Sequence, residues 1–219
     1  DGDQDHSDWC SPEVQPARDR KVLKAPPGSD VCGEAAAALA LMYINYKSID
    51  QSYAQKCLDA AKDLYSMAVS GLVSDPASKA PRYDGGSYYT SSSHYDDVVW
   101  AAIWLYKATD DDKYLEKVDE WILVKNDHGN DPFKKEWAPA WDDVTVFDLV
   151  KLAEITGNET YYNGVVYNLN YFKNNTKGGK SPAGLPIVDS WAPLRYASCE
   201  AGLAYTAYRL LGYDKNNEL

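Results

Sequence analysis

Two short segments of the sequence carry side chains that could do chemistry, and each lies directly before a helix. In residues 88–97, two tyrosines and a run of hydroxyl side chains lead to the adjacent carboxylates Asp96 and Asp97. In residues 137–143, two tryptophans lead to a second pair of adjacent aspartates. Because function tends to lie on loops that a rigid scaffold holds, the pattern predicts a polar, aromatic-lined face at helix starts.

The paired aspartates admit three interpretations. A general acid and a general base need separated pKa values and room between them, and adjacent residues such as Asp96 and Asp97 cannot face each other across a substrate. As helix caps, carboxylates meet the unpaired N–H groups and the positive end of the helix dipole. As ligands, their hard oxygens suit Ca²⁺. Capping and calcium binding therefore stay open.

The composition excludes some classes of partner and favours another. The net charge of the 219 residues is −11, so nothing would offset the phosphates of a nucleic acid. No basic cluster suggests an anionic membrane surface, and the longest apolar run, residues 35–44, is too short to span a bilayer. Eighteen tyrosines and seven tryptophans against three phenylalanines suit a half-wet surface such as a carbohydrate-binding cleft. The four cysteines lack zinc-ligand spacing.

The hydrophobic periodicity predicts an all-α protein. Apolar side chains recur at three- and four-residue spacing in seven segments, which are 30–46, 54–68, 97–108, 112–124, 144–156, 159–172 and 194–211. Residues 185–188 are a candidate short strand, although Pro186 disfavours one. We also expect Trp100, Trp121 and Trp141 to pack in the core.

Short and long connections alternate along the chain. Polar turns near residues 49–53, 108–114 and 155–161 join helices into antiparallel hairpins. The other connections, residues 70–96, 126–143 and 173–193, are long and aromatic. This alternation predicts an α/α toroid or barrel of helical hairpins with one elaborated face. About seven helices make an incomplete ring.

Five segments in order resemble the catalytic domain of glycoside hydrolase family 9, the endoglucanases formerly called cellulase family E. Residues 5–13 are similar to the family's DHxxWxxPE, 27–40 to PGSDxxxExAAALA, 88–100 to YYNSSSxYDDLxW, 137–143 to WxxxWDD, and 189–197 to DxWGxLRYA. The resemblance covers nearly the whole chain. It implies an (α/α)6 barrel, a cleft for β-1,4-glucan, and hydrolysis with inversion, in which one carboxylate activates water and a carboxylic acid protonates the leaving oxygen.

The catalytic carboxylates of the family match no position in this chain. The family's base lies in a DAGD motif upstream of DHxxW, and its acid is a glutamate downstream of DxWGxLRYA. Residues 1–3 fit the glycine- and aspartate-rich lead-in to DHxxW better than DAGD. We therefore expect residues 1–219 to be the central portion of one glycoside hydrolase catalytic domain, with no catalytic residue and no activity by itself.

The resemblance also implies a set of substrate-binding residues. They are His6, Trp9, Tyr88, Tyr89, Trp137, Trp191 and Arg195. His6 and Trp9 match positions that contact sugar around the cleavage point, while Trp137 and Trp191 would be stacking platforms for glucose rings. The alternatives are a capping histidine, core tryptophans and, for Arg195, a structural ion pair.

A calcium site is the third implication of the resemblance. Its ligands would be Ser92, Ser93, Asp96, Asp97 and Asp142, together with a loop carbonyl, tying two loops beside the cleft. The chain departs from the family at the second acidic position, which is often glutamate in the family and is the shorter Asp97 here.

These features predict part of a secreted endo-β-1,4-glucanase. Its expected partners are cellulose or cello-oligosaccharides and the remaining parts of the parent catalytic domain, with no nucleic acid and no membrane. The alternatives are another α/α-barrel polysaccharide hydrolase, such as an exo-acting or processive cellulase, and a carbohydrate-binding protein without catalytic segments.

Overall fold

The computed structural model describes residues 7, 9–15, 28–74, 91–125, 130–174 and 178–212, and their regular structure is helical. The α-helices are α1 (Ser29–Tyr46), α2 (Gln51–Ser74), α3 (Tyr95–Thr109), α4 (Val118–Trp121), α5 (Thr145–Thr156), α6 (Glu159–Asn174) and α7 (Pro193–Leu211). Two 3₁₀ turns span Pro12–Val14 and Asp112–Tyr114. The all-α prediction is confirmed, as are six of the seven predicted helices, five of them to within two residues; the second helix is longer than predicted and ends at Ser74. In the described ranges no helix is long and apolar enough to cross a bilayer.

Two predictions of local structure are wrong. Residues 112–124 form a 3₁₀ turn and the single turn α4 rather than one helix, because the Asp111 carboxylate caps the turn by accepting from the Lys113 N–H at 3.3 Å. The buried side chains of Tyr114, Val118 and Trp121 nevertheless keep a helix-like spacing across the break. The candidate strand at 185–188 is only an isolated bridge between Pro186 and Lys180, since proline has no N–H to extend a ladder.

The helices pack in two layers. Helices α1, α3, α5 and α7 lie side by side, each in contact with the next. Helix α2 packs against α1 and α3, and α6 packs against α5 and α7, so the even-numbered helices cover the odd-numbered row. This alternation of inner and outer helices is the arrangement of an α/α barrel. The fully buried core includes Ile103, Leu105, Leu149, Leu152 and Leu203.

Small residues let α1 and α3 approach closely. Ala36, Ala37 and Ala40 of α1 are fully buried. A Cβ atom at Gly33 would lie only 2.6 Å from the carbonyl oxygen of Asp97, so no side chain fits there. The start of α1 is thereby held against the start of α3, where the paired aspartates lie.

The two ends of the helices differ as the sequence predicts. Helix α5 ends at Gly157, whose φ of +65° is the left-handed conformation of a helix C-cap, and α6 begins two residues later. The longer connections instead meet one another: the loop before α3 is hydrogen-bonded to the loop before α5, and that loop packs against the start of α7. The candidate site is built where these connections meet.

Candidate functional site

The loop before α3 and the loop before α5 are joined by one aspartate. The Asp142 carboxylate accepts hydrogen bonds from the backbone N–H of Ser92 at 2.7 Å and from its hydroxyl at 2.9 Å. The Ser93 hydroxyl accepts from the Tyr95 N–H at 3.3 Å, at the start of α3. Ser92, Ser93 and Asp142, which the sequence predicts as ligands of one ion, therefore do lie together.

Asp96 and Asp97 occupy different surroundings although they are adjacent. Oδ2 of Asp96 accepts the Val144 N–H at 3.0 Å, while its buried Oδ1 finds no hydrogen-bond partner among the described residues. Burial and the neighbouring Asp143 raise the pKa of Asp96 to about 6. Burial, followed by Asp96 and then Glu34, raises the pKa of Asp97 well above its ordinary range. Asp96 thus faces the loop before α5, whereas Asp97 packs against α1.

A buried ion pair lies below this junction. The ammonium of Lys135 is 2.5 Å from Oδ2 of Asp143, and both residues are buried. Oδ1 of Asp143 accepts the Thr145 N–H at 3.1 Å and so caps the first turn of α5. Asp148 is fully buried one turn further on, and neither of its oxygens has a hydrogen-bond partner within the described ranges. Burial, then Asp96 and Asp143, raises the pKa of Asp148 well above its ordinary range.

Aromatic side chains form a wall on the other side of the same loop. The ring of Trp137 meets that of Tyr196 edge-on, with centroids 5.2 Å apart. The guanidinium of Arg195 lies 4.4 Å from the centroid of the Tyr196 ring and also donates to the Tyr196 hydroxyl at 2.6 Å. Trp137 and Arg195, predicted from the sequence, are therefore brought together through Tyr196, which the sequence does not single out.

This wall borders a cavity of about 470 Å³. Its lining mixes aromatic, charged and amide side chains: Ser92, Asn130, Lys134, Glu136, Trp137, Trp141, Asp142 and Tyr196 among others. The expectation that Trp141 packs in the core is wrong, because it is 42% exposed and lines the cavity. Trp141 precedes α5 in a tight turn, in which Ala140 and Asp143 exchange backbone hydrogen bonds, so its indole faces outward. The expected packing of Trp100 and Trp121 is confirmed.

The remaining predicted substrate residues do not contact this wall in the described structure, or cannot be placed. Trp191 precedes α7 and is 78% exposed, and its backbone N–H donates to the Asp189 carboxylate at 3.0 Å. Trp9 is fully exposed. His6, Tyr88 and Tyr89 lie outside the described residues. The roles of all these residues stay predictions.

The oxygen atoms at the loop junction could hold a hard cation only if hydroxyl and carboxylate oxygens bind it together. Ser92, Ser93, Asp96 and Asp142 offer hydroxyl and carboxylate oxygens, and the unpartnered Oδ1 of Asp96 is the kind of atom that an ion would satisfy. In the part of the chain that the structure describes, no group of three or more His, Cys, Asp or Glu side chains is arranged to hold a metal. A bound ion would therefore depend on hydroxyls and on a backbone carbonyl as well as on carboxylates.

The two helical layers define an α/α-barrel protein with an aromatic-lined cavity where its long connections meet. The sequence model of "Glycosyl hydrolase family 9" matches residues 1–218. Endoglucanase B of Cellulomonas fimi is 37% identical over 206 residues, 90% of this chain and 19% of that protein. Endoglucanase A of Bacillus pumilus is 33% identical over 224 residues, 94% of this chain and 32% of that protein. The chain belongs to glycosyl hydrolase family 9.

The structure agrees with this assignment. The cellulase Cel9M of C. cellulolyticum in complex with cellobiose superimposes with a TM-score of 0.84 at 35% identity, over 99% of this chain and 48% of that one. The fold is thus that of the family's (α/α)6 barrels, of which the described helices form an incomplete ring. The chain spans less than half the length of each of these relatives.

Proposed function

We propose that the whole protein is an endo-β-1,4-glucanase that hydrolyses its substrate with inversion, and that this chain supplies part of the glucan-binding cleft. The observation that carries the proposal is the 470 Å³ cavity bordered by Trp137, Trp141 and Tyr196 where the long connections meet. An indole face stacks on the C–H face of a sugar ring, and polar groups beside it bond the hydroxyls. Lys134, Glu136 and Asn130 supply such groups.

The buried carboxylates next to the cleft do not suit the hydrolytic step, and the two others that line the cavity are bonded within the protein, Asp142 to Ser92 and Glu136 to the hydroxyl of Tyr167. Inversion requires one carboxylate that activates water and one carboxylic acid that protonates the leaving oxygen, on opposite sides of the sugar. Asp96, Asp97, Asp143 and Asp148 are all less than 9% exposed, so they are held inside the protein rather than facing a substrate. This burial supports a division of labour in which this chain binds and orients the glucan, while other parts of the domain supply the acid and the base.

The platform role of Trp137 can be tested by binding. In the full-length protein, Trp137→Ala is expected to weaken the Kd for a thio-linked, non-hydrolysable cellotetraose by roughly tenfold, whereas Trp137→Tyr, which keeps a ring, is expected to lose less. Isothermal titration calorimetry measures both values. An alanine variant that binds as tightly as the wild type would contradict the platform role.

We further propose that Ca²⁺ binds at the junction of the loops before α3 and α5. Ser92, Ser93, Asp96 and Asp142 would hold it, with Asp97 as the more remote of the predicted ligands. When bound, the ion would supply positive charge at buried carboxylates and lock the two loops together. Addition of Ca²⁺ after treatment with a chelator should raise the melting temperature of the full-length protein, and Asp142→Asn should reduce that rise. An unchanged melting temperature would contradict the site.

We also propose that the protein is secreted and that this chain packs against further hairpins of its own catalytic domain. An insoluble glucan is reached only outside the cell, which supports export. Apolar side chains of α7, among them Leu194, Tyr205 and Tyr208, are more than half exposed, which supports a further packing surface. Detection of the protein in culture medium tests the first point.

A further inference from the structure

Lys135 is a buried lysine in the loop that leads to the aromatic wall. It is 4% exposed, and its ammonium pairs with Asp143 at 2.5 Å. The same ammonium acts electrostatically on Asp96 and Asp148, two of the buried carboxylates that have unpartnered oxygens among the described residues. Lysine is rarely buried because its charge must be desolvated, unless carboxylates compensate it. Here the single positive charge of Lys135 lies close enough to act on three buried carboxyl groups, those of Asp143, Asp96 and Asp148.

The backbone of Lys135 is anchored on its other side. The side-chain amide of Asn168, a fully buried residue of α6, donates to the carbonyl oxygens of Lys135 at 3.1 Å and of Trp137 at 3.2 Å. The segment from Lys135 to Trp137 is therefore fixed by an ion pair below it and by one amide that bridges both of its ends. The indole of Trp137 leaves this fixed backbone directly into the cavity.

We propose that Lys135 is a positioning residue for the Trp137 platform. Its ammonium compensates the negative charge of the acids next to the loops before α3 and α5. Together with Asn168, Lys135 fixes the position of the backbone from which the indole of Trp137 projects. The proposal rests on the proposed sugar-binding role of Trp137.

The test is a double-mutant cycle in the full-length protein. The Kd for thio-linked cellotetraose is measured well below the melting temperature for Lys135→Met, Trp137→Ala and the double variant. We expect Lys135→Met to weaken binding by roughly tenfold, because a misplaced binding group loses affinity steeply, and the double variant to bind no more weakly than Trp137→Ala alone. The matched control is Lys117→Met, which breaks an exposed pair with Glu120 and should change Kd by less than about twofold.

The outcomes separate this proposal from the one on which it rests. If Trp137→Ala binds normally, the platform itself is wrong. If Trp137→Ala is impaired while Lys135→Met lowers only the melting temperature, or if the two losses of affinity simply add, Lys135 has a structural role and the proposal is overturned. Should Lys135→Met fail to fold, Lys135→Arg keeps the charge and is expected to bind within about threefold of the wild type. The proposal would also be overturned if Lys135→Arg lost more than about threefold in affinity and the same loss were measured when Lys135→Arg is combined with Trp137→Ala.

Discussion

Glu200 is a buried carboxyl group on α7, 5% exposed, with no hydrogen-bond partner among the described residues. Burial raises its pKa from 4.5 to about 8. At a pH between these two values, the folded protein keeps a proton on Glu200 that the unfolded chain releases. The contribution of Glu200 to the free energy of unfolding is therefore most favourable below about pH 4.5 and is lost as the pH rises towards 8.

Glu200→Gln should therefore remove a pH dependence. Glutamine has a similar shape and no charge to bury, and one pKa unit corresponds to about 1.4 kcal/mol. We expect the variant to gain stability relative to the wild type by up to a few kcal/mol at about pH 8, with little difference at about pH 4. Melting temperatures across this range measure the difference. Parallel curves for the two proteins would contradict the account of Glu200.

Ala192 is held in a conformation that suits glycine. Its φ is +49°, directly before α7, and the family motif DxWGxLRYA has glycine at this position. A side chain in the left-handed region costs about 1–2 kcal/mol, which exceeds the entropy that glycine adds to the unfolded chain. Ala192→Gly should thus raise the melting temperature by a few degrees.

The control for Ala192→Gly is the same change inside a helix. Ala201 is an exposed residue of α7, and Ala201→Gly should lower stability by about 1 kcal/mol. Differential scanning calorimetry of both variants decides the sign. Equal destabilisation by the two substitutions would mean that Ala192 carries no strain.

Individual residues were predictable from the sequence only where a motif marks them. The segments ending at Asp97 and Asp143 stood out because aromatics, hydroxyls and paired acids precede a helix. Lys134 and Lys135 look alike in the sequence, yet one lines the cavity and the other is buried. Which lysine turns inward is set by the tertiary packing of the chain around them, so no local pattern distinguishes them.

At the scale of the elements, a single substitution is expected to disrupt the contact between α1 and α3. Gly33→Ala would place a Cβ atom 2.6 Å from the Asp97 carbonyl oxygen, and backbone cannot yield cheaply. We expect a loss of about 1–3 kcal/mol in the free energy of unfolding, together with displacement of the acids at the start of α3. Chemical denaturation measures the loss.

Gly202→Ala is the matched control on α7. Nothing lies within 4 Å of a Cβ atom built at Gly202, so alanine should stabilise the helix by roughly 0.5–1 kcal/mol. If both substitutions stabilise the protein, the close approach of α1 and α3 is not as tight as the structure indicates.

Elements were the most predictable scale because periodicity and capping act locally. Helix α5 was predicted to within a residue, since apolar positions recur regularly up to Gly157. The prediction of one helix over residues 112–124 is wrong because their apolar side chains keep helical spacing on both sides of the break that the Asp111 cap introduces. Trp141 was misplaced for a related reason: its distance from Trp137 resembles helical spacing, but a tight turn turns its indole outward.

At the scale of the whole molecule, the helices at the two ends of the inner row, α1 and α7, expose apolar side chains. Tyr205 and Tyr208 of α7 and Val31 of α1 are at least half exposed. Such apolar surface favours association. We expect the isolated 219-residue chain to self-associate in sedimentation velocity experiments, and the full-length protein to sediment as a discrete species. A monomeric, cooperatively unfolding isolated chain would contradict the proposed packing against further hairpins.

The fold class followed from alternating short and long connections, whereas the family and its chemistry followed from motifs. Physical pattern alone gives helical hairpins and an aromatic face. It does not identify a β-1,4-glucan, because stacking platforms and hydroxyl partners suit many sugars. The five ordered motifs indicate the family, and the family match over residues 1–218 confirms that assignment.

Hydrolysis of carboxymethylcellulose tests the central claim most directly. The full-length protein and the isolated 219-residue chain are compared for release of reducing sugar, with the anomeric form of the first product followed by NMR. The account predicts that the full-length protein releases sugar with inversion and that the isolated chain releases none. Hydrolysis by the isolated chain, or no hydrolysis by the full-length protein on any β-1,4-glucan, would contradict it.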